Sequence, residues 1–221
     1  NGESIIKARN SANSGNSFSN ENIVGSADGS TSSFVEATND GSSNFYISWM
    51  RLGNEQPRKI ECARSANSGS SWNTPVNVDG IDNDDENEFR ASPFINANSN
   101  QVIVFWSETN TESGASSDQD IVYSTSTNDG TSWSDYEDVS EHYYEADSGL
   151  PALANSGDYI YLVYLDNGDN DQINDPNGND ADNRDGDIYF QRSDDEGETW
   201  EALKVLSLFD EDEENDLDYT S

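Results

Sequence analysis

The chain has 221 residues, and 45 Asp and Glu against 10 Lys and Arg give a formal charge of −35. That field repels nucleic acid and anionic lipid and attracts cations, which excludes a nucleic-acid-binding role. Hydrophobic residues make up 32% and aromatics 10%, enough for a core, and no apolar run reaches the roughly 18 residues of a membrane-spanning helix.

Taken in chain order, the opening NGESIIKARN lacks the profile of a signal peptide. The alternating segment SIIKARN leads into SANSGNSF at Ser11, and NSFSNENIV follows it. A larger unit then begins with SSFVEAT and NFYISWM, continues through RKIECARS, turns at SANSGSSW from Ser65 and leaves through SWNTPVNV. ASPFINA, QVIVFWSE, DIVYSTS, STNDGTSW from Ser126 and TSWSDYEDV repeat that order. LPALANS, DYIYLVYLD, DIYFQRS, SDDEGETW from Ser193 and ETWEALKVL repeat it again. Each segment outside the turns alternates, or is a short apolar run bounded by Gly, Asn, Asp or Ser, and so predicts a strand. No segment carries a sustained helical period. Cys62 is the only cysteine, which rules out an internal disulfide framework and predicts a small buried hydrophobe. No Asn-x-Ser/Thr acceptor for glycosylation occurs.

The turns share one skeleton, Ser-x-(Asp/Asn)-x-Gly-x-x-(Trp/Phe), starting at 11, 65, 126 and 193 with spacings of 54, 61 and 67. Four strands per unit, recurring at that interval, predict an all-β propeller of four-stranded antiparallel blades. Asn13, Asn67, Asn128 and Asp195 are expected to accept backbone N–H groups two residues on. Gly15, Gly69, Gly130 and Gly197 would supply a positive φ. Phe18, Trp72, Trp133 and Trp200 would fill the gap between neighbouring sheets. Together with Ser11, Ser65, Ser126 and Ser193, these residues read as structural.

The skeleton S-x-D-x-G-x-T-W resembles the Asp-box, or BNR repeat, of the sialidase superfamily, and the resemblance covers essentially the whole chain. It implies that each box is the turn between the third and fourth strands of a blade, on the face opposite the active site. Residues 31–78, 89–139 and 149–206 would then be complete blades, 1–24 a half blade and 207–221 an acidic link or tail. About 3.5 blades are present, and six is the superfamily's usual number, so the chain reads as part of a larger propeller. The alternative is a subunit that completes its blade with a neighbour's strands.

The face opposite the turns carries connections of increasing length: 16 residues from Trp49 to Ser65, 20 from Trp106 to Ser126 and 29 from Tyr164 to Ser193. The longest, from Asp166 to Asp187, holds eight aspartates and one arginine, Arg184. Crowded carboxylates of this kind suit Ca²⁺, with Asp166, Asp169, Asp171, Asp180, Asp182, Asp185 and Asp187 as candidate ligands; a hydrated acidic loop is the alternative. Asp82, Asp84, Asp85 and Glu86 form a second candidate.

Sialidase-type enzymes clamp the substrate carboxylate with three arginines and pair a nucleophilic Tyr with a Glu. Carried over, the resemblance points to Arg90 in FRASP for the clamp and to Tyr143 or Tyr144 beside Glu141 for the pair. Arg9, Arg64 and Arg192 flank the turns, on the wrong face, and a surface this acidic is a poor host for an anionic sugar. The expectation is therefore an extracellular, non-enzymatic, cation-binding propeller acting in adhesion, assembly or glycan recognition. One alternative is a sialidase-type glycoside hydrolase with part of its site outside this chain. Another is a structural subunit of a surface layer or filament that self-assembles through the open blade. Glycans and other surface proteins are the expected partners.

Overall fold

The computed structural model describes residues 4–25, 30–52, 58–79, 90–109, 119–140, 148–156, 159–166 and 187–207, with the backbone alone at 90–92. Among them are fourteen strands and no helix. β1 (Lys7–Ala8) and β2 (Asn22–Ile23) form a two-stranded ladder. β3 (Thr31–Asn39), β4 (Phe45–Leu52), β5 (Arg58–Ser65) and β6 (Val76–Asn77) form the first four-stranded sheet. β7 (Arg90–Ala97), β8 (Val102–Thr109), β9 (Gln119–Ser126) and β10 (Glu137–Asp138) form the second. β11 (Ser148–Ser156), β12 (Tyr159–Asp166), β13 (Asp187–Ser193) and β14 (Lys204–Ser207) form the third. Every pairing is antiparallel between consecutive strands, the meander expected of a propeller blade. The first strands β3, β7 and β11 pack against one another from sheet to sheet.

Blades stack face to face through three apolar seams. Ile6, Val24, Ile47, Trp49 and Ala63 join the two-stranded ladder to the first blade. Tyr46, Met50, Ile60, Val104 and Trp106 join the first blade to the second. Phe105, Tyr123, Ile121, Leu162, Tyr164 and Tyr189 join the second to the third. Burial follows from position in the stack. β8 has a blade on either side and is buried at every residue, whereas β12 buries alternate residues because one of its faces has no neighbour among the described residues. Cys62 lies in the seam between the first two blades, and burial pushes its thiol up far enough to make it inert.

The fourth strands are shorter than the sequence pattern predicts. Only Asn22–Ile23, Val76–Asn77, Glu137–Asp138 and Lys204–Ser207 join the ladders. After each turn one backbone–backbone bond holds the returning chain, such as Asn73 N to Arg64 O at 2.9 Å or Glu201 N to Arg192 O at 2.8 Å. The segments in between run outside the sheet.

The turns correct one expectation about their chemistry. The first-position serine, not the Asx residue, caps the nearby amides. In the third blade Ser193 Oγ accepts the N–H of Gly197 at 2.8 Å and of Asp195 at 3.3 Å, and donates to Asp195 Oδ1 at 2.8 Å. Asp195 Oδ1 in turn accepts the N–H of Thr199, four residues on rather than two, at 2.8 Å. Asn67 and Asn128 do the same with Ser71 and Ser132, each at 2.9 Å. The Gly positions have φ between 73° and 95°, and the residues before them, Ser14, Ser68, Asp129 and Glu196, are also left-handed. Two consecutive left-handed residues reverse the chain tightly enough for each serine to span the turn.

Candidate functional site

Three equivalent strand ends on the face opposite the turns carry the polar groups that matter. Each second strand ends on the same pattern, an aromatic residue, one spacer and a charged residue: Trp49-Met50-Arg51, Trp106-Ser107-Glu108 and Tyr164-Leu165-Asp166. Strand register places Arg51 between Ser32 and Lys59, Glu108 between Arg90 and Asp120, and Asp166 between Ser148 and Asp187. The charge along this row thus changes from basic in the first blade to wholly acidic in the third.

Burial separates these positions further. Glu108 is 3% exposed, and its Oε2 accepts the indole N–H of Trp106 at 2.5 Å. Asp166 is 0% and Asp187 4% exposed, and they face each other across β12 and β13. Ser148 Oγ donates to Asp166 Oδ2 at 2.6 Å. The register brings both carboxyl groups to one end of β12 and β13. Their field reaches neighbouring groups. Burial first, then the Asp166 charge, pushes the hydroxyls of Tyr164 and Tyr189 well above the usual tyrosine range. Arg51, by contrast, is tied to Glu61 at 3.0 Å and to Ser30 Oγ at 3.1 Å.

Beside this row the first strands are bulged. Register slips between Ser33 and Glu36 in β3, between Ala91 and Phe94 in β7, and between Gly149 and Ala152 in β11. Phe34 and Leu150 sit in these bulges with φ of 53° each, a left-handed backbone unusual for side chains of that size. Bulges of this kind re-aim side chains next to sites. Phe34 is 54% and Leu150 68% exposed, although both are apolar and belong to the strands that pack around the propeller axis. Buried carboxylates and exposed apolar side chains therefore share one end of the sheets, and the exposed apolar surface can stack the apolar face of a ring.

Of the residues singled out from sequence, Asp166 and Asp187 are strand residues rather than loop residues. Arg90 opens β7 opposite Glu108, which places its backbone in the row. Glu141, Tyr143, Tyr144, Asp169, Asp171, Asp180, Asp182, Asp185 and the group Asp82, Asp84, Asp85 and Glu86 lie outside the described residues. Among the described residues no set of three or more His, Cys, Asp or Glu is arranged to hold a metal ion. Arg9 pairs with Glu21 at 3.4 Å and Arg64 with Asp129 at 3.0 Å, and Arg192 pairs with Glu201. All three stand beside the turns, as their positions predicted. The sequence reading missed Glu108, Phe34 and Leu150. The aromatic-x-charged repeat was a signal that could have found the first.

No protein-family model matches the chain, and no curated protein sequence does. Solved structures do. The GH93 α-L-arabinofuranosidase of Fusarium graminearum, in complex with arabinobiose, superposes with a TM-score of 0.60 at 18% identity, over 87% of this chain and 55% of that one. The fold is that of a β-propeller built from four-stranded antiparallel blades. The α-L-arabinanase of Penicillium chrysogenum, also complexed with arabinobiose, superposes on the propeller with a TM-score of 0.56 at 17% identity, over 87% and 56%. The chain thus spans about half the length of the solved structures it matches.

Proposed function

We propose that this chain is part of an extracellular Asp-box propeller that recognises a neutral glycan at the open end of its inner strands. The observation that carries this reading is the buried Asp166–Asp187 pair on the same end as the bulged, exposed Leu150. Carboxylates accept sugar hydroxyls, exposed apolar side chains cover the C–H faces of a ring, and the acidic field disfavours a charged sugar. Similarity to two propellers that hold arabinobiose supports the same sugar class. Calorimetric titration with arabino-oligosaccharides and with sialyl-oligosaccharides tests it. Binding of the neutral sugar, weakened at least tenfold by Asp166→Asn, is expected. A preference for the sialylated sugar would sink the reading.

The second reading is glycoside hydrolysis, favoured by the burial of Glu108, Asp166 and Asp187. Buried carboxyl groups are the groups that glycosidases use as acid and base. Release of reducing ends from arabinan, lost in Asp166→Asn and Glu108→Gln, would decide for it. The acidic segment opened by Asp166 and closed by Asp187 is further proposed to take up Ca²⁺, and a melting temperature raised by Ca²⁺ and lowered by chelator is the expected sign.

A further inference from the structure

The fourth residue of each turn has a left-handed backbone, with φ of 60° at Asp129 and 62° at Glu196, although neither is glycine. In both turns that residue reaches out of its own blade to the preceding one. At the seam between the first and second blades, Arg64 Nη2 pairs with Asp129 Oδ2 at 3.0 Å, and the Tyr46 hydroxyl lies 3.5 Å from Asp129 Oδ1. Arg64 is on β5 and Tyr46 on β4, so both partners belong to the first blade. Arg64 Nη2 also donates to Asn44 Oδ1 at 2.9 Å, which ties the pair to the hairpin between β3 and β4. Burial first, then the Asp129 charge, pushes the Tyr46 hydroxyl up to about 12. At the seam between the second and third blades, Glu196 Oε1 accepts Asn98 Nδ2 at 3.3 Å and Asn100 Nδ2 at 3.1 Å. Both donors come from the chain that joins β7 to β8 of the second blade.

These contacts are not interchangeable. Arg64 stands one residue before the turn serine of the first blade, where the second blade has Thr125. Tyr46 stands three residues before Trp49, where the second blade has Ile103 before Trp106. Asp129 set against the second blade would therefore meet no cation at that position. We propose that the fourth turn residue is a blade-pairing key, whose side chain recognises the preceding blade and gives each seam its own latch. A chain of repeats can stack the same strands on a wrong neighbour, and a contact that only the right neighbour completes works against that outcome. The Arg64 and Asp129 side chains are 25% and 50% exposed, so screening keeps the attraction modest. The discrimination lies in the difference between a partnered and an unpartnered carboxylate.

The turn tryptophans report the two seams separately. Trp133 packs in the seam keyed by Asp129 and Trp200 in the seam keyed by Glu196, and both indole N–H groups are buried. Phe18, at the same turn position, is 61% exposed and so departs from its expected role as a seam filler. Hydrogen exchange of the two indole protons, followed by NMR on the 221-residue chain, tests the proposal. Asp129→Arg and Arg64→Asp should each speed exchange at Trp133 roughly two- to fivefold and leave Trp200 unchanged. Combining the two reversals should return Trp133 to the parent rate, and Glu196→Ala should speed Trp200 alone. Should a reversal fail to fold, Asp129→Asn and Arg64→Gln replace it, with the double variant no faster than either single one. A Trp133 rate unmoved in both single variants overturns the proposal. So does a double reversal that exchanges no more slowly than the single ones, or an acceleration of both indoles together, which would mark a general loss of stability.

Discussion

Asp166 on β12 stands directly opposite Asp187 on β13, and neither carboxylate is more than 4% exposed. Asp187→Asn keeps the size of the side chain and removes one of the two charges, so the fold should survive with a stability change within about 1 kcal/mol. The same change should weaken glycan binding, since the amide keeps one acceptor oxygen where the carboxylate has two. A thermal melt and a calorimetric titration on one variant check both halves. A variant that melts lower and still binds would place the pair in the scaffold.

The four turns provide their own controls for the role of the first-position serine. Ser193 is fully buried and satisfies two backbone N–H groups, and Ser65 and Ser126 are equally closed in. Replacing any of the three by Ala leaves buried donors without an acceptor, so a loss of about 1–3 kcal/mol is expected. Ser11 makes the same bonds in a half-exposed turn, where water can take over. Ser11→Ala should cost less than about 0.5 kcal/mol. Urea titration of the four alanine variants measures the contrast.

These comparisons also mark what the sequence could convey. The turn skeleton and strand alternation are local patterns, so an all-β fold of four-stranded antiparallel units was readable from spacing. The hydrogen-bond roles inside the turn were not, because Ser193 and Asp195 are both good acceptors and only the paired left-handed residues decide which amide each reaches. Phe34 and Leu150 were hidden for a different reason. A bulge adds one residue without altering composition, and what it re-aims depends on a partner strand. The pairing of Asp166 with Asp187 was hidden because 20 intervening residues made both look like loop.

Trp200 and Phe18 hold equivalent turn positions with opposite surroundings. Trp200 fills a seam against Phe105 and Tyr123, so Trp200→Ala should cost about 3 kcal/mol through the void it leaves. Phe18 is 61% exposed, and Phe18→Ala in the dilute chain should change stability by less than about 0.5 kcal/mol. Equilibrium unfolding in urea separates the two variants.

Asp195 is the one titratable residue at the third position of the four turns, where Asn13, Asn67 and Asn128 stand elsewhere. The hydroxyl of Thr199, donating to Asp195 Oδ2 at 2.5 Å, and then the Thr199 amide hold the carboxyl below its ordinary 3.8. A depressed carboxyl stabilises the folded state above the unfolded value, and this contribution disappears as pH falls through the lower folded value. Asn67 shows how the neutral residue copes: its Nδ2 donates to Ser71 Oγ at 2.8 Å, with the hydroxyl now the acceptor. In Asp195→Asn, Thr199 Oγ1 can accept in the same way. The variant should match the parent near pH 7 and melt above it once pH drops below about 3.8. A pH series of melting curves reads the crossing, and parallel curves for the two proteins down to pH 2 would mean that the Thr199 bonds do not hold Asp195 in its charged form.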